Sequence, residues 1–447
     1  MTTISTRLRW SLFAVLCLAG VFNAMDRPII AILKPDMMAD FGWTESDFGD
    51  LAAVTQFSAA FAFLVTGWLV DRLGVNRSMH VGAAAWSFAA IAHGWATTTV
   101  QVVAARVGLG ATEAVQTPLT IKTVASIFEP DRRSFALGIA TFLASIGTIA
   151  MPFVIPGLSE AFGWRGALVF GGIGGLLSLV AWVVLARGVN FAMASKHETP
   201  AITAAGDGPT TPAQDAIAVF TQPAHRSGIA KGLIDWLGGL IAFFDDRKLW
   251  GIVIAKALSD MTWWFINFWL ADYYRKEFGL STLELAIPLA IAFAGSGLGA
   301  LLAGWGSSKL LGMGWSVNRV RKTVMLTSAF IVLPLPLVLQ LDSFWPVAVM
   351  MGVVMAGHQG FSLSIFSTIT DVVPNAKVAR VTAFGAFMGN MGGVAISLVV
   401  GRVLDAGFGY MPIFLFAAIS YLLAFSWFQL MLPRIERNEG ALGSVAS

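Results

Sequence analysis

Two short stretches, GWLVDRLG at 67–74 and GWGSSKLLG at 304–312, decide how this chain is read. Each opens on Gly-Trp and places a basic residue five positions after the glycine, Arg72 and Lys309. Each also follows an apolar run long enough to cross a bilayer, which takes roughly 20 residues. Outward from them, such runs recur over about 9–37, 46–70, 77–97, 99–127, 133–155, 165–187, 249–275, 282–310, 320–341, 343–370, 377–401 and 409–431. The first motif follows the second run and its echo follows the eighth, so a unit of six runs occurs twice. The reading is an all-α membrane protein with 12 transmembrane helices in two six-helix pseudo-repeat bundles, the internal repetition of secondary transporters. Small-residue strings such as GGIGGLL at 171–177 and GNMGGVAIS at 389–397 allow close helix packing.

Composition agrees. The 447 residues are 56% hydrophobic and 12% charged, with a mean hydropathy of +0.73, where a soluble chain carries roughly a quarter charged residues. The net charge of +3 comes without a long basic tract, so no nucleic-acid partner is expected. The single cysteine, Cys17, excludes an intrachain disulfide. No HExxH, metal-ligand cluster or activated nucleophile stands out, so neither an enzyme nor a metal or organic cofactor is expected. Arg7 and Arg9 before an apolar run loosely fit a secretory signal. The run continues past Arg27 to Leu33, and Phe22 with Ala24 makes a poor cleavage pair, so it reads as a retained span.

The polar stretch 188–248 separates an N-terminal bundle, 1–187, from a C-terminal bundle, 249–432, with a tail at 433–447. Gly228 to Phe244 alternates apolar and charged residues and suggests a surface helix. Thr44 with Asp47 forms a capping-box signature, and Pro130 and Pro374 fall in breaks between spans. With the N-terminus inside, inner loops and tails hold 21 lysines and arginines and outer loops 5, which places both termini in the cytoplasm of an inner or plasma membrane.

Six charges within spans qualify as candidates for the membrane interior: Asp26 and Arg27 in the first, Arg106 and Glu113 in the fourth, Lys256 and Asp260 in the seventh. A charge at mid-bilayer costs about 2.5–3.5 kcal/mol on insertion scales, so it faces a cavity and has a partner. Arg106 and Glu113 are seven apart and share a helix face with Gly110 and Thr117, which suggests a cavity-lining stripe. The plainer alternative is structural ion pairing between spans one and four. For Lys256 and Asp260, spaced i, i+4, a structural salt bridge is the favoured reading. His358 and Gln359 are polar in the apolar tenth span, and Trp263 and Trp264 lie too deep for an interfacial belt.

GWLVDRLGVNR resembles the loop 2–3 signature of the major facilitator superfamily, where it latches the two halves. By that resemblance Asp71, Arg72 and Arg77 are gating residues. N-x-x-D-R in the first span, FGWTESDFG at 41–49 and R-x-G-L-G-x-x-E-A ending at Ala114 look like the anion:cation symporter branch. IKTVASIFEPDRR at 121–133, WWFINFWLADYY at 263–274, GWSVNRVRKT at 314–323 and the His358–Gln359 pair resemble its hexuronate-transporter members. The resemblance implies proton-coupled symport of organic anions. It assigns proton coupling to Asp26 and Glu113 and contact with the substrate carboxylate to Arg27 and Arg106. His358, Gln359, Trp263 and Trp264 as cavity walls, together with Ser145 and Ser364, complete the candidate substrate-binding set.

Departures from the pattern bear on substrate. Ala24 stands where sugar-acid members commonly have tyrosine, and Val115-Gln116-Thr117-Pro118 replaces Gly-Asn-Phe-Pro. Ser145 and Ser364 replace asparagines, and no acid lies around Gly297. An unpaired buried polar group is costly, so lost hydroxyl partners point to a small carboxylate with fewer hydroxyls than a hexuronate. The expectation is a monomeric symporter of such an anion, with protons as the coupling ion. An anion exchanger or facilitator without net proton coupling, a drug/proton exporter, a membrane enzyme and a flux-free sensor are the alternatives.

Overall fold

The computed structural model describes residues 5–189, 191, 234–236, 238–239, 246–373 and 375–435, which form helices and their connections with no strand among them. α1 is Thr6–Phe41. α2 (45–73) and α3 (75–92) meet at Gly74, and α5 (130–162) and α6 (164–185) meet at Gly163. Both glycines take positive φ, 75° and 71°, a conformation glycine adopts without steric penalty. α4 comprises Thr99–Glu113 and Gln116–Ile127. The C-terminal half repeats the series with α7 (Arg247–Phe278), α8 (Ala286–Gly312), α9 (Val317–Val332), α10 (Phe344–Val372), α11 (Asn375–Asp405) and α12 (Met411–Met431).

Three prolines account for local departures. The fourth span, read as one helix, is interrupted at Ala114–Val115 just beyond Glu113. Pro118 has no N–H to offer the Ala114 carbonyl, so the helix ladder fails there. Pro28 and Pro35 lie within α1 and free the carbonyls of Ala24 and Ala31 in the same way. Thr148 on α5 donates to Ala24 O at 3.5 Å, and Arg275 on α7 donates to Ala31 O at 3.4 Å. Neighbouring helices thus satisfy the freed groups, as an apolar medium requires.

The capping box is present, with Thr44 N donating to Asp47 at 2.8 Å. Of the helix suggested over Gly228–Phe244, residues 234–236 and 238–239 are helical. Trp236 Nε1 donates to Leu64 O on α2 at 2.7 Å, and the Arg380 guanidinium of α11 lies 5.2 Å from its ring. The rest of that helix, most of 188–248, Pro374 and the tail from 436 lie outside the described residues.

The halves meet along α2 with α11, α5 with α8 and α1 with α7. At the face away from the chain ends they are clamped. Lys34, fully buried on α1, reaches Glu45 of α2 at 2.5 Å and Asp272 of α7 at 2.9 Å. Lys276 joins the same two carboxylates, and Tyr410 donates to Asp272. Asp405 accepts from the backbone N–H groups of Glu45 and Ser46 at 3.0 and 2.8 Å, while Arg402 pairs with Asp50 at 3.1 Å. Gly49 lies so close to Ser397 O that a Cβ would overlap it. At the terminus face the pairs Arg9–Glu129, Asp71–Lys122 and Arg321–Asp371 each stay within one half.

Candidate functional site

Consecutive helical residues point about 100° apart, so Asp26 and Arg27 cannot share a surface. Asp26 turns into the N-terminal half, where its carboxylate accepts from Trp86 Nε1 of α3 at 2.5 Å. A Cβ at Gly171 on α6 would strike that carboxylate, so the glycine there permits the close packing. Arg27 turns the other way and donates from Nε to Glu113 Oε2 at 2.6 Å. Its guanidinium lies 5.9 Å from the Phe63 ring and 5.5 Å from the Trp264 ring, so it spans the seam between the halves.

Arg106 is fully buried and donates from Nη1 to the backbone oxygen of Asp26 at 3.3 Å. Its Nε and Nη2, and Glu113 Oε1, have no hydrogen-bond partner among the described residues. None of the stripe Arg106–Gly110–Glu113–Thr117 is among the residues that line the cavity, contrary to the sequence reading. Gly110 packs against Thr55 O and Ser58 Oγ of α2, and Thr117 is exposed. The physical reason is helix proximity: glycine on this face draws α4 onto α2 and closes the space. Glu113 communicates with the cavity through Arg27.

The cavity between the halves has a volume of about 420 Å³. It runs from Arg27 toward the terminus face. Ala24, Ser145, Trp263, Trp264 and Gln359 line it, whereas Ser364 is buried and donates to Gly360 O within α10. His358 sits behind the wall, stacked on Trp263 at 4.8 Å with Nδ1 2.6 Å from Tyr421 OH. Sequence reasoning missed Phe63, Asn267, Phe293, Phe366 and Asn390, all lining residues. Asn267 and Asn390 fall within the quoted stretches 263–274 and 389–397 without being singled out there, and no motif marks the three phenylalanines; the five become neighbours only when the halves pack. The amide nitrogens are engaged within the protein: Asn267 with Trp263 O, Gln359 with Ser296 Oγ and Asn390 with Ala386 O.

Asp71 is bound by Lys122 of α4 at 2.9 Å, Arg72 lies 5.9 Å from the Trp68 ring, and Arg77 is exposed. These three lie at the terminus face, remote from the cavity.

The family model described as Major Facilitator Superfamily matches residues 16–395. The chain belongs to the major facilitator superfamily. It is accordingly a transporter built on the superfamily's 12-helix plan and not an enzyme. A D-galactonate transporter of Escherichia coli O6:H1 is 26% identical, covering 93% of this chain and 95% of that relative. The hexuronate transporter of Escherichia coli K12 is 24% identical over 93% of this chain and 92% of its own length. Among solved structures, a nucleoside transporter superposes with a TM-score of 0.68 at 15% identity, covering 95% of this chain and all of that one. A bacterial homologue of the human lysosomal transporter Spinster, inward-facing and occupied, gives 0.67 at 15% identity over 96% of this chain and 97% of that one.

Proposed function

We propose that this superfamily member is a proton-coupled symporter of a small organic carboxylate with fewer hydroxyls than a hexuronate. The observation that carries the reading is the Arg27–Glu113 pair at the edge of the cavity. Arg27 makes no other hydrogen bond among the described residues, which leaves its two amino groups as a fork for a carboxylate. The relatives named as galactonate and hexuronate transporters support an organic acid as cargo. The aromatic walls and the engaged amides favour a less hydroxylated one.

Coupling follows from charge. Asp26, Arg27, Arg106 and Glu113 sum to zero, so this four-charge cluster carries no net charge of its own. An anion that takes Arg27 from Glu113 leaves a buried carboxylate without its cation, a state costing several kcal/mol. A proton on Glu113 Oε1 restores neutrality, and the loaded halves can then rock. Anion and proton each favour the other's binding, a reciprocal coupling. With the termini in the cytoplasm, the clamped face is the outer one and the cavity faces inward.

The test is Glu113→Gln in liposomes. Uphill uptake driven by a pH gradient is expected to vanish while substrate counterflow persists. Undiminished uphill uptake refutes the assignment. A wild-type protein that exchanges carboxylates with no response to the gradient is an anion exchanger instead.

A further inference from the structure

Lys256 and Asp260, one turn apart on α7, both line the cavity, and the Arg27–Glu113 site uses neither. Lys256 Nζ donates to Asp260 Oδ1 at 2.6 Å and to Ser362 Oγ of α10 at 3.2 Å. An ammonium has three N–H groups, so one is left for the cavity, where the Phe366 ring lies 5.1 Å away. A Cβ at Gly389 of α11 would strike Asp260 Oδ2, so the glycine there lets α11 pack close. A pair that only tied α7 to itself would bear the desolvation cost of two charges without joining any other element by charge. Arg27, Lys256 and Asp260 are the charged residues lining the cavity.

We propose that Lys256–Asp260 is a second anion seat, on the opposite half from Arg27–Glu113, and that the preferred substrate is a dicarboxylate bridging both seats and travelling with two protons. The inference rests on Arg27–Glu113 being the first seat. Trp264, against which Arg27 lies, is eight residues from Lys256, about 12 Å along the helix. The Lys256 ammonium reaches up to Asp260, which cuts the axial gap to roughly 6 Å. That axial rise is the least separation of the two cations, and two carboxylates on a four-carbon chain or a ring are long enough to cover it. Each empty seat is neutral, one cation with one carboxylate. Each substrate carboxylate that takes a cation is balanced by one proton, on Glu113 or on Asp260. The titratable groups around Asp260 are Lys256 of α7, His358 of α10 and Tyr421 of α12.

The test uses the full chain in liposomes with hexanedioate and its monoamide, which has the same chain and one carboxylate. Protein-free liposomes serve as blanks, and the membrane potential is clamped at zero. One proton per substrate gives about tenfold accumulation per pH unit of gradient and two give about 100-fold. The monoamide is expected at the first value and hexanedioate at the second. Lys256→Gln combined with Asp260→Asn removes both charges together, and is expected to end the advantage of hexanedioate over its monoamide in counterflow competition. Tenfold accumulation of hexanedioate by the wild type, or that advantage retained by a monodisperse double variant, overturns the second seat alone. Transport of neither compound, or transport of both without response to the gradient, overturns the first seat as well.

Discussion

Replacing Lys34 with methionine is expected to open the clamped face. Its ammonium is fully buried and touches Glu45 of one half and Asp272 of the other. Removing one partner of a buried ion pair costs about 3–5 kcal/mol, because the other charge is left uncompensated. Lys276, whose side chain is 44% exposed, still reaches both carboxylates, so roughly half of that cost, about 2 kcal/mol, is expected to remain. The cost falls on the clamped state alone, since opening hydrates both carboxylates. The open population therefore rises about 30-fold. Ala53 reports it: it lies between Gly49 and Gln56 on the stripe of α2 that meets α11, and is 4% exposed. With Cys17 replaced by alanine, an Ala53→Cys protein carries one thiol, and its maleimide labelling rate in detergent follows the open fraction. A labelling rate within about twofold of the parent, in a monodisperse Lys34→Met protein, refutes the clamp energetics.

Gly49→Ala should act in the same direction, since its Cβ would overlap Ser397 O across the seam. Overpacking of that kind costs about 1–3 kcal/mol, and the same thiol should label faster; unchanged labelling would mean that the seam yields without separating. Glu113→Gln and Asp26→Asn both leave the N-terminal half with an extra positive charge, so anion binding, read by calorimetry at two pH values, should lose its pH dependence in both. Only Glu113→Gln weakens the hold on Arg27, a charge-assisted bond worth about 1.5–3 kcal/mol, so it alone should tighten binding by about tenfold or more, and equal tightening in the two variants argues against Arg27 as the seat.

The helices and their repetition were legible because lipid imposes long apolar runs and excludes open backbone. Gly-Trp at 67 and 304 then supplied the repeat. What sequence missed depended on the direction in which a side chain leaves its helix. Asp26 and Arg27 are neighbours in sequence and serve different surfaces; of the fourth-span stripe read as a cavity wall, Arg106 and Glu113 turn toward α1 and Gly110 packs on α2. The few basic residues of the far face looked like a topological residue count. In the structure Lys34, Arg275, Lys276 and Arg402 each bond to the opposite half. Pro118 and Pro35 were local signals that could have been used, since each proline names the carbonyl it frees.

Pro35 also shows why the clamp sits where it does. A proline in a membrane helix leaves a carbonyl that lipid cannot satisfy, and Ala31 O is the one it leaves here. Arg275 of the opposite half fills that need, with a second bond to Ile32 O at 2.7 Å. When the halves separate at this face the guanidinium withdraws, and those carbonyls must find water. Opening is therefore tied to hydration of the far face: water has to enter as Arg275 leaves. Seven residues earlier in α1, the Ala24 carbonyl freed by Pro28 is served by Thr148, within the same half and beside the cavity. That bond need not break when the halves move. One helix thus carries two proline breaks of opposite consequence, one fixed within its own half and one that reports whether the halves are together.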